Sequence, residues 1–357
     1  MNNLKQPIKL TETRAWRTYI GGALIEGAYG REKIDNNFPE EWIGSCVQAI
    51  NQHREHIIEG LSHTFVNGDQ VTLRSLVEKY PEQPLGKQHV EVFGTNLAIL
   101  AKIIDSLERL TIQCHPSRIN AKKFFNSDFG KAESWHIIGG REVNGEAPYV
   151  LLGFKEGVTQ EQYRKDFDNQ NVEGLIEALH KIYVKPGETY LIKGGVPHAI
   201  GPGCYLVELQ EPTDYTFRVE RTTPNGLKLS DKACHQGLGF DNMFECFDFK
   251  TYSKEEIKKE FLIKEEVLES SNQAVRTSLI NSDYFSMESL KVTGDYAYQH
   301  KVSFSIIKVL EGKGVMTCSG AQENIKKGDE FFVPYHHDEM MFSGDFKCII
   351  FYPPTNK

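Results

Sequence analysis

The chain has 357 residues, of which 39% are hydrophobic and 25% are charged, an ordinary composition that is enough for a large core or for two domains. Its 41 basic and 49 acidic residues give a formal net charge of −8, and no run rich in lysine or arginine occurs. A nucleic-acid partner is therefore not expected. No stretch of about eighteen apolar residues predicts a membrane span, and the first residues lack the apolar core of a signal peptide. We expect a cytoplasmic protein without a membrane partner, and no oligomeric state is predicted.

Seven cysteines are scattered along the chain without a Cys-x-x-Cys pair. A disulfide framework or a thiolate zinc site needs closer and more regular spacing. We therefore predict reduced, mostly buried thiols.

The first half of the chain predicts short strands with a few inserted helices. Aromatic and β-branched residues set between glycines suggest strands and tight turns over residues 14–45, and apolar spacing predicts a helix over residues 72–80. Residues 96–110 fit both a helical and an alternating pattern, and we favour a strand around Lys102. A helical pair is predicted over residues 159–183, after which strands and glycine-rich turns resume.

The second half begins with a charge-dense, partly helical segment after a boundary near residue 250. The remainder is strand-rich, with hairpin turns predicted at residues 310–314 and 327–329. Short strands with glycine turns in both halves predict a mainly β fold of two cupin-type jelly-roll barrels, related by internal duplication. The predicted domains are residues 1–250, which carry the helical insertions, and residues 251–357.

Ligand-type side chains gather around residues 110–116, which read LTIQCHP. The alternation predicts a strand that sends Gln113 and His115 to one face and Cys114 to the other. Downstream, residues 130–133 supply the carboxylate of Glu133, and a second imidazole, His198, follows a glycine-rich turn. Gathered on one barrel wall, these four side chains would make a metal site.

The approach to His198 matches a known signature. Residues 187–198 fit the glycine-spaced cupin pattern Gly-x5-Pro-x-Gly-x2-His, except that Lys193 replaces the proline. Glycines there let the chain turn sharply, so that the histidine enters the barrel. An amide, two imidazoles and a carboxylate suit a borderline divalent ion such as Zn²⁺, with a coordination position left for substrate.

The second half carries an incomplete copy of this pattern. Residues 328–334 repeat the opening Gly-x5-Pro, but His336 replaces the next glycine and Glu339 stands where the histidine would be. No Gln-x-His or His-x-His pair precedes it. We therefore predict one metal site per chain, in the first half, and expect His336 and His337 to be exposed loop residues.

Five stretches resemble motifs of the type I mannose-6-phosphate isomerases, which are zinc enzymes of the cupin fold. They are residues 110–116 (LTIQCHP), 130–135 (GKAESW), 198–201 (HAIG), 208–210 (ELQ) and 216–218 (TFR). The order and spacing of all five agree with that family. The resemblance is clear from about residue 14 to residue 221 and weaker beyond.

The resemblance implies a role for each of nine residues. The zinc ligands would be Gln113, His115, Glu133 and His198. The catalytic pocket would be lined by Lys131, Glu208 and Arg218, and the sugar phosphate would be contacted by Lys102 and Thr111. The implied reaction interconverts mannose 6-phosphate and fructose 6-phosphate through an enediol. Lys131, Glu208 or a zinc-bound water could transfer the proton, whereas a permanently charged Arg218 suits electrostatic stabilisation.

Departures from the family pattern leave alternatives open. Ser117 stands where the family has an aspartate, and residues 210–220 differ at several positions, all of them beside the substrate rather than the metal. An unphosphorylated sugar is therefore the alternative substrate. A metal-binding cupin that acts as a sugar-binding or regulatory module, or as an iron oxygenase, is a further alternative. The fourth ligand, Gln113, argues against the oxygenase, whose three-residue triad leaves three positions open.

Overall fold

The computed structural model describes residues 5–299, 303–318, 320–335 and 339–354, and this part of the chain is mainly β. Its helices are α1 (Ala23–Ala28), α2 (Leu73–Lys79), α3 (Glu82–Leu85), α4 (Lys87–Phe93), α5 (Arg118–Phe125), α6 (Gln160–Asp168), α7 (Val172–Glu177), α8 (Asp231–His235), α9 (Phe240–Phe244) and α10 (Lys254–Phe261). No helix in these ranges is both long enough and apolar enough to cross a membrane.

The strands of the first half are β1 (Ile8–Leu10), β2 (Arg14–Ala15), β3 (Glu40–Ile43), β4 (His63–Val66), β5 (Asp69–Thr72), β6 (Leu100–Asp105), β7 (Gln113–Cys114), β8 (Glu133–Gly140), β9 (Tyr149–Lys155), β10 (Leu179–Tyr183), β11 (Thr189–Ile192), β12 (His198–Ile200), β13 (Cys204–Gln210) and β14 (Phe217–Arg218). Those that follow are β15 (Thr251–Tyr252), β16 (Leu262–Ile263), β17 (Glu266–Ser270), β18 (Ala274–Asn281), β19 (Ser286–Val292), β20 (Asp295–Tyr298), β21 (Ser305–Cys318), β22 (Ala321–Lys326), β23 (Glu330–Val333) and β24 (Met340–Tyr352).

Two large sheets and the two-stranded sheet β4-β5 form the first half. One has the strand order β16-β11-β8-β13-β6-β3-β2, and the other has the order β10-β9-β12-β7-β14, with β15 paired to β9. A shared core joins them, since Ile104 and Trp135 of the first sheet cluster with Val150, Leu152 and Ile200 of the second. Burial of such side chains stabilises the sandwich by about 25 cal/mol per Å² of apolar surface.

One larger sheet forms the second half. Its order is β1-β23-β21-β24-β19-β18-β17, with β20 paired to β24 and β22 paired to β21. The edge strand β1 comes from the start of the chain, so the N-terminal segment is part of this sheet. A core cluster joins it to the first half, because Ile103 and Val207 pack with Phe285, Ile306 and Phe351.

Several predicted elements are confirmed. Besides helix α1, which lies within residues 14–45 where only strands and turns were predicted, two predictions are wrong. A strand spans Lys102, and helix α2 begins after Thr72, whose hydroxyl accepts the Ser75 N–H. The helix predicted to end at residue 183 instead ends at Glu177, and β10 then pairs antiparallel with β9. The spacing of Leu179 and Ile182 fits a helical face. In the structure, however, the backbone of these residues forms its hydrogen bonds with β9.

The second error concerns residues 310–314. They lie in the interior of β21 rather than in a hairpin turn. The register of β21 against β24 shifts between Val309 and Glu311, and Gly312 adopts a φ of 75° just after this bulge. Gly312 therefore allows a bulge within a long strand. In the sequence, a glycine at such a bulge looks the same as a glycine at a turn.

The division of the chain at residue 250 stays a prediction. Residues 251–263 pair with the sheets of the first half through β15 and β16, and β17 is the first later strand of the large sheet. His336 and His337 lie outside the described residues.

Candidate metal centre and its pocket

Two neighbouring strands bring the predicted ligands together. In the register of β7 and β12, Gln113 is the Cα partner of His198. A turn before β12 reaches back to the first motif, because the Gly195 N–H donates to the His115 carbonyl at 2.8 Å. Gly195 has a φ of 96°, and a Cβ on Gly194 would lie 2.6 Å from the Pro116 carbonyl oxygen. The glycine-rich turn is therefore needed for this close approach.

His115, Glu133 and His198 converge on one point in the interior. Nε2 of His115 lies 3.1 Å from Glu133 Oε2, and Nε2 of His198 lies 3.1 Å from Glu133 Oε1. All three side chains are at most 1% exposed. Among the described residues they are the one group of three acidic, histidine or cysteine side chains whose ligand atoms cluster, all within 4.8 Å of one another.

Backbone carbonyls fix the orientation of both imidazole rings. Nδ1 of His115 lies 2.8 Å from the Tyr215 carbonyl, and Nδ1 of His198 lies 2.9 Å from the Val196 carbonyl. Since a carbonyl only accepts, each Nδ1 carries the proton, and each Nε2 presents its lone pair to Glu133. Burial, together with the charge of Lys131, lowers the pKa of His115 to about 3 and so keeps this ring neutral.

These donor atoms fit a metal ion. Both carboxylate oxygens of Glu133 and Nε2 of His198 have no hydrogen-bond partner within the part of the chain that the structure describes. Facing lone pairs in a dry interior repel one another unless a cation lies between them. Burial opposes the ionisation of Glu133, but the charge of Lys131 outweighs it and holds its pKa well below the usual range. Glu133 is therefore ionised, as a metal ligand needs to be.

A pocket opens beside this centre and contains the other predicted site residues. Its lining includes Gln113 together with Lys102, Thr111, Lys131, Glu208 and Arg218. Lys131 is the cation nearest the metal ligands, with Nζ 2.9 Å from His115 Nε2 and 3.3 Å from Glu133 Oε2. The structure thus brings all nine residues together.

Lys102 and Glu208 form a buried ion pair on neighbouring strands. Nζ of Lys102 lies 2.8 Å from Glu208 Oε1 and 2.6 Å from Gln210 Oε1, and its side chain is buried. The Trp135 indole N–H donates to Glu208 Oε2 at 3.2 Å. Burial raises the pKa of Glu208, Lys102 opposes this rise, and the nearby charge of Glu133 adds to it. Glu208 is therefore a carboxylate that holds a proton more readily than usual.

Arg218 presents a half-buried guanidinium to the same pocket. Its Nη1 donates to the Ala233 carbonyl at 2.8 Å, and no ion pair within 4.0 Å is found for it among the described residues. Burial lowers its pKa from the ordinary value, with Asp214 partly compensating. An anionic group on a ligand would supply the negative charge that the Arg218 guanidinium lacks.

The pocket also contains a cluster of charged side chains that was not predicted from the sequence, formed by Arg17, Glu40 and Asp214. Nε of Arg17 lies 2.9 Å from Glu40 Oε2, and its Nη2 lies 3.4 Å from Asp214 Oδ1. Asp214 also accepts the Ile50 N–H, so it connects the pocket to the loop after β3. Asp214 lies in the stretch of residues 210–220 and could have been found there. Arg17 lies in no motif, so nothing local indicates its place.

The architecture and this centre define the class of the protein, a cupin-like β protein with a buried His–Glu–His group that fits a metal ion. A family model described as "Mannose-6-phosphate isomerase, cupin domain" matches residues 275–353. The predicted resemblance to the type I mannose-6-phosphate isomerases is confirmed.

Individual relatives extend this likeness to nearly the whole chain. The "probable mannose-6-phosphate isomerase GmuF" of Bacillus subtilis is 27% identical over 337 residues, which are 93% of this chain and 95% of that protein. The mannose-6-phosphate isomerase ManA of the same organism is 27% identical over 80% of this chain and 85% of its own length. A crystal structure of a Bacillus subtilis mannose 6-phosphate isomerase superposes with a TM-score of 0.75 at 24% identity, covering 97% of this chain and 99% of that one. The superposition shows the shared fold.

Proposed function

We propose that this protein is a metal-dependent isomerase that interconverts mannose 6-phosphate and fructose 6-phosphate. The convergence of His115, Glu133 and His198 beside an open pocket carries the proposal. Aldose–ketose isomerisation moves a proton between adjacent carbons, and its barrier is the negative charge that collects on the substrate oxygens. The relatives, which are mannose-6-phosphate isomerases by name, support the same reaction for this chain.

The ligand set favours one Zn²⁺ per chain. An amide oxygen from Gln113, two neutral imidazoles and one carboxylate suit this borderline ion and include no thiolate of the kind found in structural zinc sites. When bound, the ion supplies Lewis-acid stabilisation of negative charge on substrate oxygens. The chain's own contribution is to hold the Nε2 atoms of both histidines in place through the Tyr215 and Val196 carbonyls.

Glu208 is the better candidate for the proton carrier, and Lys131 is the alternative. The pKa of Glu208 is raised by burial, which moves the carboxylate toward the range in which it exchanges a proton near neutral pH. Its two oxygens are positioned by Lys102 and the Trp135 indole. Lys131 lies against His115 and Glu133, where its charge favours electron-rich substrate oxygens.

Arg218 is the favoured partner for the substrate's phosphate. Lys102 faces the pocket, but its charge is already paired with Glu208 and its amine also contacts Gln210. Arg218 lines the same pocket and lacks a carboxylate partner among the described residues. A guanidinium also binds a phosphate through two parallel hydrogen bonds. Thr111, which lines the pocket too, offers a hydroxyl to the sugar.

The two halves are proposed to be two cupin-type units, residues 1–250 and residues 251–357, derived by duplication. The family model that matches residues 275–353 describes a cupin domain, which supports this origin for the second unit. Only the first unit would hold metal. The second would stabilise the first through their common core.

The test compares metal content and isomerase turnover in the wild type and the His198→Ala variant. We expect the variant to lose bound zinc and turnover of mannose 6-phosphate, because it lacks one of three converging ligands. His63→Ala is a matched control, since His63 is half-buried in β4. Full turnover in metal-free wild type would contradict the proposal. Parallel assays of mannose and mannose 6-phosphate test the phosphate, and equal turnover of both would favour the free sugar.

A further inference from the structure

A second cavity, of about 570 Å³, lies between the two halves of the chain. Its wall from the first half includes His136 of β8 and Tyr205 of β13, and its wall from the second half includes Glu311 of β21 and Lys347 of β24. None of its lining residues belongs to the pocket beside the metal ligands. On β8, Trp135 donates to the pocket residue Glu208, whereas the next residue, His136, lines this cavity. The two spaces are therefore on opposite faces of one strand.

Three lysines converge on this cavity from separate segments. Lys33 follows α1, Lys327 lies in the turn between β22 and β23, and Lys347 lies on β24. The side chain of Lys33 covers α1 where Gly27 lacks a Cβ, since a Cβ there would lie 2.7 Å from Lys33 Cε. Within the described ranges, no carboxylate lies within 4.0 Å of any of the three amines. Their charges are therefore available to an anion.

His136 adds a buried polar group to the same wall. It is 4% exposed, and its Nδ1 lies 2.9 Å from the Thr189 hydroxyl. Burial, together with the charge of Lys347, lowers the pKa of His136 to about 4, so the ring is neutral at pH 7. With Nδ1 engaged, Nε2 is the nitrogen left for a ligand. A neutral ring in this position recognises a hydroxyl or a phosphate oxygen by a hydrogen bond.

The remaining lining defines the rest of the ligand. Glu265 and Glu311 line the cavity as well, and neither forms an ion pair within 4.0 Å among the described residues. Carboxylates accept hydrogen bonds from hydroxyl groups, and Tyr205 offers an aromatic ring against which a sugar ring can pack. The lining therefore combines cations, hydroxyl acceptors and an apolar surface, as a phosphorylated sugar or polyol requires.

We propose that this cavity is a second binding site, which takes a small phosphorylated sugar or polyol, with Lys33, Lys327 and Lys347 around the phosphate and His136 at its base. The proposal does not depend on the isomerase activity. It rests on the cavity and on the charges that meet there.

The experiment follows the His136 ring directly. Zinc-loaded protein with ¹³C-labelled histidine is titrated with inorganic phosphate and, separately, with fructose 6-phosphate, and His136 is assigned by the His136→Gln variant. His115 and His198 report the other pocket in the same spectra. We expect a saturable shift of the His136 signal in the wild type. In the Lys327→Met/Lys347→Met variant, the affinity read from this signal should fall by roughly tenfold or more.

The control is the Lys165→Met/Lys259→Met variant, which removes two exposed charges from α6 and α10. It should titrate like the wild type, and isomerase turnover should be unchanged in both double variants. The proposal is overturned if the His136 signal stays in place up to tens of millimolar ligand. It is also overturned if both double variants lose affinity equally, because the effect would then be one of net charge.

Discussion

Three ionisable side chains are buried together where the two halves meet. Glu41 of β3, Lys308 of β21 and Glu330 of β23 are each at most 2% exposed. Nζ of Lys308 lies 2.5 Å from Glu41 Oε1 and 3.8 Å from Glu330 Oε2. One lysine therefore balances one of two carboxylates. Both oxygens of Glu330 also lack a hydrogen bond within the described ranges. The ionised form of Glu330 should thus be costly.

The sign and size of this cost follow from proton linkage. Burial raises the pKa of Glu330 to about 8, with Lys308 opposing the rise and Glu41 adding to it, whereas the ordinary value is 4.5. Between these pH values the folded state keeps a proton that the unfolded chain has released, so stability falls as pH rises. At ~1.4 kcal/mol per pH unit, the loss is at most about 5 kcal/mol. We expect about 3 kcal/mol, since relaxation around the charged carboxylate reduces it.

The Glu330→Gln variant tests this reasoning, because a neutral side chain of equal size removes the titration. Urea denaturation between pH 5 and pH 9 should give similar free energies of unfolding for the wild type and the variant near pH 5. Near pH 9 the variant should be more stable by about 3 kcal/mol. Glu266→Gln on the exposed strand β17 is the control and should follow the wild type. A wild-type-minus-variant difference that does not change with pH would refute the reasoning.

Three further predictions concern the metal centre and its pocket. Chelation should lower the unfolding temperature of the wild type, because it leaves the buried donors without a cation, but should barely change that of Glu133→Gln; equal shifts would contradict a role for this carboxylate. Lys102→Met should raise the pKa of Glu208 further, so the acidic limb of the kcat/KM profile should move to higher pH, and an unmoved limb would exclude Glu208 as the base. Arg218→Lys should raise KM for mannose 6-phosphate by about tenfold without raising that for mannose, and a similar rise for both sugars would mean that Arg218 does not bind the phosphate.

The metal ligands could be predicted from the sequence because the information is local. Alternation in residues 110–116 places Gln113 and His115 on one face, and the glycine spacing before His198 specifies the turn that brings it in. Arg17 could not be predicted in the same way. Its partners Glu40 and Asp214 lie 23 and 197 positions away, and only the assembled sheets bring them together.

The errors in secondary structure have a similar origin. Leu175, Ile176, Leu179 and Ile182 fit the spacing of one helical face, yet Leu179 and Ile182 belong to a strand. The same spacing allows either element over so short a run, and pairing with β9 decides. At Gly312, a strand was instead predicted to be a turn. A glycine inside a strand looks like a turn until the long partner β24 is known.

Strand alternation also explains why the second half matters to a site that it does not line. On β3, Glu40 faces the pocket and contacts Arg17, while the next residue, Glu41, is bound to Lys308 of the second half. On β13, Glu208 faces the pocket, whereas Val207 packs into the core that both halves share. Each of these two pocket residues is therefore next in sequence to a residue held by the second half. A shift of either strand would move both faces, so the large sheet stabilises the positions of Glu40 and Glu208 in the pocket.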